Sequence, residues 1–133
     1  MSSGSGTPDD PWKLNTPLGK AELEMHRDEG KDVLHCQVGS TWLHYRMSAL
    51  DDLHAMLVEH GDWMELGNKD EKAETKPGTV EHWARSKDNP VGGWYGLRKG
   101  YRGRFASYVT PVLEHLGKVE FEKRGRGVWV KAV

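Results

Sequence analysis

Three stretches between residues 21 and 47 alternate apolar and polar side chains, and this constrains the chain more than any other feature. In the first, Ala21, Leu23 and Met25 alternate with Glu22, Glu24 and His26. The second, Val33 to Val38, puts Leu34, Cys36 and Val38 on one face. The third, Thr41 to Met47, sets Leu43, Tyr45 and Met47 against Trp42, His44 and Arg46. A period of two belongs to a strand with one dry and one wet face. Arg27 to Lys31 and Gly39-Ser40 supply the turns. The pattern predicts a three-stranded antiparallel meander.

The period then changes. Leu50, Leu53, Met56 and Leu57 follow helical spacing, with Ser48 as the expected N-cap, Asp51 at N3 and Gly61 as the stop, so 49–60 reads as a helix. Asp51 and Asp52 suit the positive end of its dipole. Residues 67–78 are charged and aperiodic and read as an exposed, mobile loop. Thr79 can cap a short helix through Ser86 that buries Val80 and Trp83 and stops at Asn89-Pro90. Gly92, Gly93, Gly96, Gly100 and Gly103 follow, with Trp94, Tyr95, Leu97 and Tyr101 between them. Their spacing is neither that of a dinucleotide fingerprint nor that of a phosphate-binding loop. It predicts an ordered loop or broken helix with close backbone approaches.

Phe105, Tyr108, Val109, Val112, Leu113 and Leu116 share one helical face, which Gly117 closes. Pro111 either kinks this helix or stands at the first position of a fresh one capped by Thr110. Lys118 to Lys123 and Gly127 to Ala132 then form a hairpin around Arg124-Gly125-Arg126. The expected fold is α+β: the meander, two to three helices and a C-terminal β-hairpin. Residues 1–17 read as a flexible tail and lead-in, pinned by Trp12 and Leu14, and 18–133 as a single domain. The lone Cys36 allows no intramolecular disulfide. No apolar run nears the roughly 18 residues of a membrane span, and no signal peptide is visible. A cytoplasmic protein without membrane contact is expected, of an oligomeric state the sequence does not fix.

Charge is unevenly divided. Residues 1–93 carry a net charge of -7 and residues 94–133 a net charge of +6. Either one face is made for an anionic partner, or the halves attract each other within the fold. The cations concentrate in two Arg-Gly-Arg tips, at 102–104 and 124–126. Arginine on a glycine-flexible tip can enter a narrow minor groove or hold phosphate. Arg98, Lys99, Tyr101, Arg102 and Arg104 form one candidate set, in which aromatics suited to base stacking interleave with cations. Lys123, Arg124 and Arg126 form the other.

The C-terminal run VLEHLGKVEFEKRGRGVWVKAV resembles the last helix and wing of winged-helix transcription regulators. That resemblance implies a recognition helix in the major groove and a hairpin wing on the backbone or minor groove. Helices 49–60, 79–86 and 105–116 would be its three helices. The Gly-rich segment departs from the short turn of a helix-turn-helix. The residues expected to face outward from the last helix, Ala106, Ser107, Thr110, Glu114 and His115, include few base-reading side chains. The whole chain is also similar to small actinobacterial proteins of no assigned activity that carry an NPVGGWYG…RGRF segment, here Asn89 to Phe105.

No catalytic signature stands out. The seven histidines lack metal-ligand spacing, although His26, His35 and His44 can line one wet face of the meander. Cys36 reads as a core residue rather than a nucleophile. The expectation is a non-enzymatic binding protein with no cofactor and no metal. Its expected partner is nucleic acid, DNA before RNA, held mainly through phosphates. The alternative is a protein-interaction module docking through the Gly/aromatic segment 90–104.

Overall fold

The computed structural model describes residues 4–133; the first three residues of the expected tail lie outside the described ones. The order of elements is β1 (Trp12–Asn15), β2 (Glu22–Asp28), β3 (Val33–Val38), β4 (Thr41–Arg46), α1 (Ala49–His60), β5 (Met64–Glu65), α2 (Val80–Trp83), α3 (Phe105–His115), β6 (Val119–Arg124) and β7 (Gly127–Ala132). The α+β class is as the sequence indicates.

The N-terminal sheet has four antiparallel strands, in the order β1-β2-β3-β4, not three. The additional strand comes from the lead-in, where Trp12 and Leu14 are buried and alternate with exposed Lys13 and Asn15. Pro11 and Pro17 bracket this short run and hide its period. The alternation of the next three strands holds. Leu23, Met25, Leu34, Cys36, Leu43 and Tyr45 are buried on the face turned to the helices.

The C-terminal hairpin β6–β7 gains a third strand, giving the order β5-β7-β6. At two residues, β5 is too short to show a period. Helix α1 ends at Gly61, whose left-handed backbone (φ 71°) lets its N–H reach the Leu57 carbonyl. Ser48, however, has helical backbone (φ -60°, ψ -13°) and makes no capping bond. An N-cap side chain needs an extended backbone to reach the helix's free N–H groups, which Ser48 lacks. Thr79 does cap, accepting the His82 N–H. The helix it caps ends at Trp83, short of the expected Ser86.

Helix α3 is the central element and packs against α1, α2, β1 and β6. It runs unbroken through Pro111, and the Thr110 hydroxyl donates back to the Ala106 carbonyl rather than capping a new helix. Ala106 and Thr110 are buried, not outward as expected, and Pro111 is buried with them. The reason is tertiary: α3 packs at once against α1, α2, β1 of the four-stranded sheet and β6, so more than one face of this helix has apolar neighbours.

Candidate anion-binding cleft

The charged segment 67–78 is not a free loop. It wraps around the Arg85 guanidinium, which donates to the carbonyls of Lys69 (3.2 Å), Asp70 (3.2 Å), Glu71 (3.3 Å) and Ala73 (3.1 Å) and to the Glu81 carboxylate (2.9 Å). Glu81 is fully buried and also accepts the N–H groups of Phe105 (3.3 Å) and Ala106 (3.0 Å). It therefore caps α3 from another helix, since Arg104 at the N-cap supplies no side-chain cap of its own. Burial pushes the Glu81 carboxyl upward against the pull of these donors.

Held in this way, segment 67–78 meets the first Arg-Gly-Arg tip. Glu71 accepts from the Gly100 N–H (2.8 Å), the Arg102 N–H (2.7 Å) and Arg102 Nε (3.0 Å). Arg102 holds the Glu71 carboxyl far down, to about 2. Gly103 lies so close to the Glu71 backbone that no Cβ would fit. Part of the charge asymmetry is thus spent inside the fold.

The eight cationic and aromatic candidates divide accordingly. Arg102 is held by Glu71 and stacks on Trp94, 4.2 Å from the ring centre. Arg98 lies over the exposed Tyr101 ring at 4.2 Å. Arg124 pairs with Glu122 at 2.7 Å and covers the rings of Trp129 and Trp63. Lys99 and Lys123 are exposed. Arg104 and Arg126 come together: both line one cavity of about 480 Å³ where the β1–β2 turn, the end of β5, the start of α3 and the start of β7 meet.

Two further cations, Lys20 and Lys69, line the same cavity. Nothing in the sequence marked them, because Lys20 stands alone, Lys69 sits in a run of mixed charge, and the turn and the loop that carry them meet only in three dimensions. Among the described residues, no carboxylate lies within ion-pair distance of Lys20, Lys69 or Arg126. Arg104 pairs with Asp70 at 2.7 Å, but both side chains are largely exposed, at 48% and 65%. An exposed pair of this kind is worth at most about 1 kcal/mol, so a competing anion can displace Asp70 at little cost. Among the described residues, Arg104 is also one of two non-glycine residues with left-handed backbone (φ 58°), held by its N–H to the Lys69 carbonyl at 2.8 Å. The single carboxylate in the lining, Glu65, already faces Lys76 at 3.3 Å.

A second cluster lies on the wet face of the N-terminal sheet. His26, His35 and His44 stand directly opposite one another on β2, β3 and β4. His35 Nδ1 and His44 Nδ1 are 2.8 Å apart, so one ring donates and the other accepts. Burial, then the neighbouring His35, lowers the pKa of both His26 and His44. Among the described residues, no three metal-ligating side chains are arranged to hold an ion. Cys36 is buried, and its thiol is pushed up to about 12. No helix among the described residues is long and apolar enough to cross a membrane.

A family described as being of unknown function (DUF6855) matches residues 4–133. No curated protein and no solved structure matches the chain.

Proposed function

We propose that this chain, which belongs to the DUF6855 family, is a non-enzymatic protein that binds nucleic acid, duplex DNA first, through its phosphates. The observation that carries this reading is the meeting of Arg104 and Arg126, from separate Arg-Gly-Arg tips, with Lys20 and Lys69 around one cavity. Lys20, Lys69 and Arg126, which have no carboxylate partner among the described residues, gain most from phosphate, because binding releases counterions from the polyanion without breaking an internal ion pair, and Arg104 gives up only its exposed pair with Asp70. The winged-helix resemblance adds support through element order: α1, α2 and α3 precede a C-terminal hairpin with a basic tip. In this reading the hairpin and the cleft touch the backbone, and α3 reads no bases, because its Ala106 and Thr110 are buried.

The test is the affinity for a labelled random duplex over a range of salt. If all four cations engage phosphate, log K should fall against log salt with a slope of about −3.6. Affinity unchanged from low to high salt contradicts the reading. The second reading, a protein partner on segment 90–104, draws on Leu97 and Tyr101, which are 45% and 38% exposed. Most of the remaining aromatic surface of that segment is tied inward: Tyr95 is buried and Trp94 lies under Arg85 and Arg102.

A further inference from the structure

The cavity that Arg104 and Arg126 share is a pocket rather than an open track. Its volume, about 480 Å³, lies within the range of small-molecule sites, roughly 300–1,000 Å³. We propose that the pocket takes a nucleoside 5′-monophosphate, either free or as the phosphorylated 5′ end of a strand. The proposal rests on the reading of this face as the phosphate-binding one.

The charge of the pocket fits a dianion. Lys20, Lys69, Arg104 and Arg126 line it beside one carboxylate, Glu65, which has its own lysine partner, while Arg104 carries Asp70 as an exposed partner that an anion can displace. A phosphomonoester carries about −1.5 to −2 at neutral pH, whereas a backbone diester carries one charge. Three cations without a carboxylate partner among the described residues and one displaceably paired arginine therefore favour a terminal phosphate over an internal one.

Two other features call for more than phosphate. The Asn68 side-chain oxygen is buried and has no hydrogen-bond partner, although Asn68 lines the pocket. A buried acceptor without a partner is destabilising, and a ligand donor can reach it once the pocket wall shifts to expose it. Orthophosphate is a poor source of donors, whereas a nucleoside brings ribose hydroxyls and, on most bases, an exocyclic amine. Apolar wall is available as well. Leu18, exposed to 39%, and Tyr108 both line it, and the Tyr108 ring can carry a base.

The test uses the full chain with adenosine 5′-monophosphate, adenosine and inorganic phosphate in calorimetric titrations. A 12-nucleotide strand carrying either a 5′-phosphate or a 5′-hydroxyl is titrated alongside. The monophosphate is expected to saturate at least about tenfold more tightly than adenosine or phosphate alone. Arg126→Gln and Lys20→Gln, both at exposed positions, should each weaken it several-fold without changing the melting temperature. A preference for the 5′-phosphorylated strand identifies strand ends as the source. Equal binding of the two strands beside a saturating monophosphate identifies the free nucleotide. If the monophosphate does not saturate and the strands bind alike, while the duplex still binds with a steep salt dependence, the pocket proposal falls and the nucleic-acid reading stands. If the monophosphate saturates and the duplex does not bind, the nucleic-acid reading falls and the pocket proposal stands. Inorganic phosphate binding as tightly as the monophosphate also overturns the nucleoside assignment.

Discussion

Arg104 and Arg126 line the same cavity, although one sits at the start of α3 and the other in the turn between β6 and β7. Their neighbours Arg102 and Arg124 do not join them: one is held by Glu71 and the other by Glu122 and two tryptophans. Arg102 is thus committed to the fold, Arg124 is covered by two rings beside an exposed carboxylate, Arg104 has one exposed and displaceable carboxylate partner, and Arg126 has none among the described residues.

The capping of α3 by Glu81 should dominate stability. Its side chain and that of Arg85 are 1% and 10% exposed. Glu81→Ala leaves a nearly buried guanidinium without its counter-charge and two helix N–H groups without an acceptor. Breaking such a pair costs about 3–5 kcal/mol. Urea denaturation should show a loss of that order, against less than about 1 kcal/mol for Glu122→Ala on the surface.

Glu71 makes part of the stability depend on acid. Its carboxyl is held at about 2 in the fold, below the ordinary 4.5. The unfolded chain therefore binds the proton first, and the stabilising contribution, complete above the ordinary value, is lost as pH falls from there through about 2. In urea titrations between pH 6 and pH 2, Glu71→Gln should lack this part of the acid loss. Parallel curves for the two proteins would contradict the assignment.

Helices and strands with one wet face were legible in the sequence because their periods are long enough to read. Helix α1 and strand β3 fall at the expected residues. β5, with two residues, and β1, four residues between prolines, were not legible. A sequence also shows a charge without showing its partner. Arg102 and Arg124 therefore looked like free cations, and segment 67–78 looked mobile, since its anchor is Arg85, which lies outside it. The burial of Ala106 and Thr110 could not be read either, because it depends on a sheet formed nearly a hundred residues earlier.

The histidine row predicts a second pH dependence, of opposite cause. His26 and His44 have lowered pKa values, so in mild acid the unfolded chain takes up protons that the folded one refuses. Stability should be fully present above the ordinary histidine value of 6.5 and decline as pH falls through the lowered folded values. Imidazole titration by NMR should find both rings below 6.5. His35→Asn removes one like charge but not the burial, so it should raise both only part of the way.

Cys36 is fully buried with its thiol near 12. At neutral pH a thiol reagent should modify it only through unfolding, since the thiolate is the reactive form. Its labelling rate should rise with urea in step with loss of the fold; rapid labelling of the native protein would contradict the burial.

The most direct measurement of phosphate binding by the cleft compares Arg126→Glu with Arg124→Glu in binding to a random duplex at fixed low salt. Arg126 lines the cleft and has no carboxylate partner among the described residues, whereas Arg124 is paired. Arg126→Glu is expected to weaken binding at least about tenfold and to flatten the salt dependence by about one unit of slope or more. Arg124→Glu should weaken it less. Equal affinity of wild type and Arg126→Glu, with both proteins folded, would contradict a phosphate-binding role for the cleft.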